Sequence, residues 1–164
     1  MNSPYIGKFR VSQCFSANHT GLDLVGVDSK EIHSTVYGTV IRAGYENENN
    51  QKQGFGLRIV IKQNGSNKYF YFGHLSAIFV KVGQVVSVTQ KIGIEGNTGN
   101  STGSHLHYEC RLNDNKKEYQ NISSLSGIPN NIGTYDDGYR PSDEMKKIKI
   151  EIDGVTYSGT VKRE

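Results

Sequence analysis

The stretch GNTGNSTGSHLHYEC, Gly96 to Cys110, decides how this chain is read. It sets two histidines one residue apart behind a run of glycine, asparagine, serine and threonine, in a chain with five histidines altogether. Side chains alternate faces along a strand, so His105 and His107 point one way while Leu106 and Tyr108 point the other. Two imidazoles on one strand face can reach one ion or one reacting group. Cys110 falls on the opposite face, which separates it from any site the two histidines form. An isolated H-x-H also suits a pair of surface or core histidines, so the rest of the chain has to discriminate.

The flanking sequence reads as a series of short strands. Period-two alternation predicts strands at Lys8–Val11, Tyr37–Ala43, Leu57–Gln63, Lys68–His74, Val85–Val86, Lys91–Glu95 and Leu106–Arg111. The polar loop ENENNQKQGFG (Glu46–Gly56) and the tight turn NGSN (Asn64–Asn67) separate some of them. No segment of the first 111 residues holds a 3.6-residue apolar period over ten positions. The expectation is an all-β fold, mainly antiparallel sheet. After Arg111 the chain turns polar and rich in Gly, Asn, Ser and Asp, which predicts a loop-rich wrap over 112–140. The final segment alternates Ile148, Ile150 and Ile152 with charged residues, turns at Asp153-Gly154 and returns through Val155 and Tyr157. That predicts a β-hairpin extension over 141–164. The expected organisation is a core at 1–111, the wrap and the hairpin.

At 164 residues the chain can bury roughly 70% of the surface its unfolded form exposes, so folding needs neither disulfides nor a metal. A metal site here would therefore be functional. A formal net charge of +3 suits a polyanionic surface such as a cell wall, but is too small and scattered for nucleic acid. No apolar stretch reaches 18 residues, so membrane insertion is not expected. Two cysteines, Cys14 and Cys110, are too few for a disulfide framework.

Two further clusters join the H-x-H pair. In NHTGLDLVG, His19 and Asp23 stand four apart with Gly21 between them, which predicts a turn leading into a strand where the two side chains meet. In YFYFGHLS, a strand ends at or near His74. His19, Asp23 and one histidine of the pair would make a two-His, one-carboxylate set, the ligand type of a catalytic zinc site. The other histidine and His74 would then flank the open side as proton carriers or oxyanion donors. Glu109, on the strand face of His107, is placed either to orient a ligand or to form a surface salt bridge.

HTGLD, GHLS and GNTGNSTGSHLHYE resemble, in order and spacing, the three motifs of the LytM/lysostaphin-type zinc endopeptidases of family M23. The resemblance runs from about Ile6 to Arg111 and includes the hairpin VKVGQVVSVTQKIGIEGNTG. It implies a lysostaphin-like fold and one zinc ion per chain, bound by His19, Asp23 and His107. It implies His74 and His105 as catalytic histidines, and bacterial peptidoglycan peptides, stem peptide or cross-bridge, as substrate. A catalytically idle wall-recognition module is the alternative within the family, and no motif residue is missing to support it. The same hairpin resembles that of biotin and lipoyl carriers, but no lysine stands at its tip. His33 falls near the groove of relatives and is expected as a polar loop residue. The N-terminus shows no apolar core of a secretory signal. The corresponding expectation is a phage or prophage lysin, or a virion-borne wall hydrolase, that reaches the wall by a non-Sec route. The C-terminal hairpin is expected to serve assembly or self-association.

Overall fold

Glycine and polar turns cut this chain into strands of two to eight residues, and their order is antiparallel throughout. The structure, a computed structural model, describes residues 2–115 and 118–138 in full and the backbone alone of Met145–Ile152 and Val155–Lys162. The strands are β1 (Lys8–Gln13), β2 (Leu22–Gly26), β3 (Glu31–His33), β4 (Gly38–Tyr45), β5 (Leu57–Gln63), β6 (Lys68–Gly73) and β7 (Ala77–Ile78). They continue with β8 (Val85–Val86), β9 (Lys91–Ile94), β10 (Leu106–Leu112), β11 (Tyr119–Gln120) and β12 (Gly133–Asp136). A helix, α1 (Ile122–Ser126), precedes β12, and a hairpin of β13 (Met145–Ile152) and β14 (Val155–Lys162) follows it.

The main sheet runs β12-β1-β2-β10-β6-β5-β4-β8, with β11 paired to β10. A smaller sheet, β3-β9-β7, is built from the segments between. Period-two alternation divides the main sheet into two faces. Phe9, Val11, Leu22, Leu24, Ile59, Ile61, Phe70, Phe72, Leu106, Tyr108 and Cys110 are buried in one core with Ile32, Leu75 and Ile92. The opposite face carries the polar partners in register: His107 faces Asp23 and Gly73, Glu109 faces Tyr71, and Arg111 faces Tyr69. Burying an aliphatic or aromatic side chain fully contributes about 1.5–3 kcal/mol, so the apolar face holds the polar one rigid.

The predicted strands are present, some with shifted ends, and the lysostaphin-like, mainly antiparallel fold is confirmed below by comparison with solved structures. Alternation missed β2, β3 and β7. In β2, Leu22, Asp23 and Leu24 are all buried, so the strand does not read as one buried face and one wet face. β3 and β7 are only two or three residues long. The 112–138 region is more ordered than its composition indicates. Asn121 caps α1 by accepting from Ser124 N–H, and Gly127 ends it at φ 73°. Ile122 and Ile128 insert into the core, and β12 adds an edge strand to β1. The Asp153-Gly154 turn lies outside the described residues. Among the described residues no helix is long and apolar enough to cross a membrane.

Candidate metal centre and active-site groove

His19 and Asp23 meet because the chain turns between them. Ser16 and His19 pair their backbones across a tight turn, and β2 begins at Leu22. Gly21 is required there: a Cβ would sit 2.6 Å from the Tyr108 carbonyl and 2.8 Å from Nε2 of His107. Asp23 then lies opposite His107 across the β2–β10 ladder. Its Oδ1 is 3.1 Å from Nε2 of His19 and 2.9 Å from Nδ1 of His107. One donor atom from each of the three residues lies within 4.8 Å of the other two, the only such His, Cys, Asp and Glu grouping among the described residues. A tetrahedral zinc shell with bonds of about 2.0–2.2 Å would set its ligand atoms roughly 3.4 Å apart. The donor spacing therefore fits that ion.

Ring orientation supports the same fit. His19 Nδ1 donates to the Cys14 carbonyl at 2.9 Å, which leaves Nε2 turned to Asp23. His107 Nε2 lies 3.2 Å from Oε2 of Glu109, which leaves Nδ1 turned to Asp23. Each imidazole has its far nitrogen held by an oxygen acceptor, the arrangement that fixes a ligand tautomer. Glu109 is fully buried and also accepts from Thr20 Oγ1 and Arg111 Nε, so it is no surface salt bridge. Burial pushes the His107 imidazole down, but its hydrogen bonds to Asp23 and Glu109 outweigh this and hold it up at about 9. Burial pushes Asp23 up, yet bonds from His107 and His19 keep it well below the ordinary carboxylate range.

His74 and His105 stand beside this set, with ring centroids 4.6 Å apart. Each donates Nδ1–H to a backbone carbonyl, His74 to Thr98 at 2.8 Å and His105 to Gly103 at 2.8 Å, so each offers Nε2. His105 Nε2 lies 3.6 Å from Oδ2 of Asp23. Burial pushes His74 down to about 4, so it is neutral at physiological pH. β6 ends one residue before His74, whose φ of 62° is the left-handed region that non-glycine residues rarely adopt. Bonds from His74 N–H to Phe55 and from Leu75 N–H to Leu57 hold it there. Such strain, of order 1–3 kcal/mol, concentrates at functional sites.

The groove over these groups has a volume of about 340 Å³ and is lined by Thr20, Glu46, Phe55, His74, Asn100 and His107, among others. One wall is the polar 46–56 loop, through Glu46, Gly54 and Phe55. The segment after Asp23 continues as β2 to Gly26 and contributes no lining residue. His33 is neither in the groove nor in a loop: it is buried on β3, its Nδ1 without a partner. Phe55 was not anticipated. Its ring lies 5.4 Å from that of His107 and 6.5 Å from that of His74, and only the folded loop brings it there.

Comparison with known proteins gives this geometry a family. Peptidoglycan DD-endopeptidase ShyA of Vibrio cholerae is 34% identical over 139 residues, covering 77% of this chain and 31% of that protein. The chain spans well under half the length of the curated relatives it matches. Among solved structures, the catalytic domain of lysostaphin from Staphylococcus simulans superposes with a TM-score of 0.61 at 26% identity, covering 73% of this chain and 91% of that one. The catalytic domain of a point mutant of the prophage-encoded M23 protein EnpA from Enterococcus faecalis gives 0.60 at 26% identity, over 73% and 94%. The model of peptidase family M23 matches residues 17–120, a span that holds every histidine and carboxylate of the groove, and the chain belongs to that family.

Proposed function

We propose that this chain is a zinc-dependent endopeptidase that hydrolyses peptide bonds in bacterial peptidoglycan. One observation carries the reading: His19, Asp23 and His107 converge within 4.8 Å, His74 and His105 stand beside them, and His74 and His107 line one open groove. The likeness to a protein named as a peptidoglycan endopeptidase supports the substrate class.

In this reading His19 Nε2, a carboxylate oxygen of Asp23 and His107 Nδ1 hold one zinc ion per chain. Bound there, the ion supplies Lewis acidity that makes water nucleophilic near neutral pH and polarises a carbonyl. His74 is neutral with its proton on Nδ1, so its Nε2 can only accept, and it takes the proton of the attacking water. His105 presents Nε2 beside Asp23 and, with a proton on each ring nitrogen, donates to the developing oxyanion and then to the leaving amine. Phe55 shields one side of the histidines from solvent. The likeness to a prophage-encoded protein supports the finer reading of a phage or prophage wall hydrolase.

The test is mass spectrometry of fragments released from purified peptidoglycan by the zinc-loaded chain, beside a chelated control. Chelator-sensitive new peptide termini are expected and would name the bond. No release across several wall types, with zinc still bound, would overturn the enzyme reading in favour of a wall-recognition module.

A further inference from the structure

A second cavity, of about 130 Å³, lies on the same sheet face as the metal donors and shares Glu46 and Arg111 with the catalytic groove. Its lining is Arg42, Glu46, Arg58, Tyr71, Arg111 and Asp114, three guanidinium groups against two carboxylates. The arginines come from three strands, β4, β5 and β10. Alternation by itself would not put Arg42 there. Val40 pairs with Ile61 on the core face, and two residues further on Arg42 would face the core as well. A bulge at this point pairs Arg42 with Val60 instead and turns its side chain onto the groove face. A bulge that re-aims a charged side chain beside an active site is a built feature.

The donors in this cavity are only partly used. Arg42 Nη2 binds Asp114 Oδ2 at 2.5 Å, while its Nη1 is buried without a partner. Arg58 Nη1 lies 2.8 Å from Glu46 Oε1. Arg111 commits Nε to Glu109 and lays its guanidinium over the Tyr71 ring at 4.1 Å. Asn113 and Asp114 both take positive φ, 51° and 56°, in the turn that delivers Asp114 to Arg42 and to the Tyr71 hydroxyl. Each guanidinium carries five donors, so the pocket holds more donors than its two carboxylates satisfy, and its lining carries one net positive charge.

We infer that this cavity is a substrate subsite for a free carboxylate on the peptide being cut. A planar monoanion matches both the charge and the fork geometry of the arginines. The inference rests on the peptidase reading above for the identity of the ligand as a peptide. It deepens that reading, because stem peptides bear free carboxylates along their length and an all-glycine bridge bears none. The chain is thereby a stem-peptide enzyme rather than a glycyl-glycine one.

The experiment uses two cross-linked stem peptides that differ only in their carboxylates, free in one and capped as primary amides in the other. Cleavage is followed with the zinc-loaded chain, and binding by calorimetry with its zinc-loaded His105→Ala variant. Capping should raise KM and Kd by about tenfold or more, the scale of a charged hydrogen bond. Arg42→Gln should bind both peptides alike. Equal binding and cleavage of the two forms by the unsubstituted groove would overturn the subsite and leave the peptidase standing. Carboxylate-dependent binding without cleavage would uphold the subsite and overturn the peptidase. Neither binding nor cleavage would overturn both.

Discussion

Oε2 of Glu109, a residue with no exposed surface, lies 3.2 Å from Nε2 of His107 and turns the other ring nitrogen toward Asp23. A carboxylate behind a ligand imidazole fixes its tautomer and raises its basicity. Glu109→Gln should therefore lower zinc affinity by about 10–100-fold without removing a ligand. Competition with a chromophoric chelator reads this directly. Unchanged affinity would reduce Glu109 to a fold-stabilising partner of Arg111 and Thr20.

Gly21 makes a sharper test of how the ligands are packed. An added Cβ meets the Tyr108 carbonyl at 2.6 Å and Nε2 of His107 at 2.8 Å, and the carbonyl cannot rotate away. Gly21→Ala should cost about 1–3 kcal/mol in stability and weaken zinc binding together. A variant that binds zinc normally would show that the turn relaxes independently of the strand.

The histidines should separate by role. His107→Ala should lose zinc, and retained stoichiometric zinc would overturn the ligand set. His105→Ala should keep zinc and lose about 10²–10³ in turnover. His74→Asn should lose turnover similarly at nearly unchanged melting temperature, because Asn tolerates the left-handed backbone held there. Metal analysis beside single-turnover kinetics distinguishes the three.

Glu95 predicts an acid limb of stability. Its carboxylate accepts from Tyr5 Oη at 2.6 Å, Gly26 N–H at 2.8 Å, Lys30 Nζ at 2.7 Å and Ser104 Oγ at 2.6 Å. Burial pushes the carboxyl up, but these bonds outweigh it and hold Glu95 below its ordinary value. A carboxyl that titrates lower when folded adds stability that is complete above the unfolded value, about 4.3, and lost as pH falls through the folded one. Glu95→Gln should cost about 2–4 kcal/mol near neutrality. Its urea midpoint should also fall less steeply than the parent's on acidification below about pH 4.5. Parallel acid limbs would assign the loss to other carboxylates.

Among the described residues the C-terminal hairpin pairs β13 with β14 alone. Two strands are marginal alone, and we propose that this hairpin serves assembly. Deleting 145–164 should leave zinc binding and peptide cleavage unchanged while lowering self-association in sedimentation. An unfolded product would instead make the hairpin part of the core.

Much of the site was legible in residue order. H-x-H on a strand places two imidazoles on one face by the pleat alone, and the segment from His19 through Gly21 to Asp23 needs only a turn to bring its ends together. The alternation that turns His107 to the groove face turns Leu106, Tyr108 and Cys110 into the core, so site and core were written in the same strand. Other features depended on pairing between distant segments. Glu109 reads as an exposed charge until β2, β6 and the turn at Thr20 close over it. β2 carries too little alternation to be seen before its neighbours bury it from both sides. Phe55 reaches the histidines only through a loop held by Glu46, whose carboxylate accepts from Phe55 N–H at 2.7 Å. Arg42 faces the groove because of a bulge, a mismatch between two strands that neither strand contains by itself. Local chemistry and periodicity are properties of short segments and survive in the sequence. Register, burial of charge and the convergence of side chains from separate strands are set by long-range packing, and only the tertiary structure decides them.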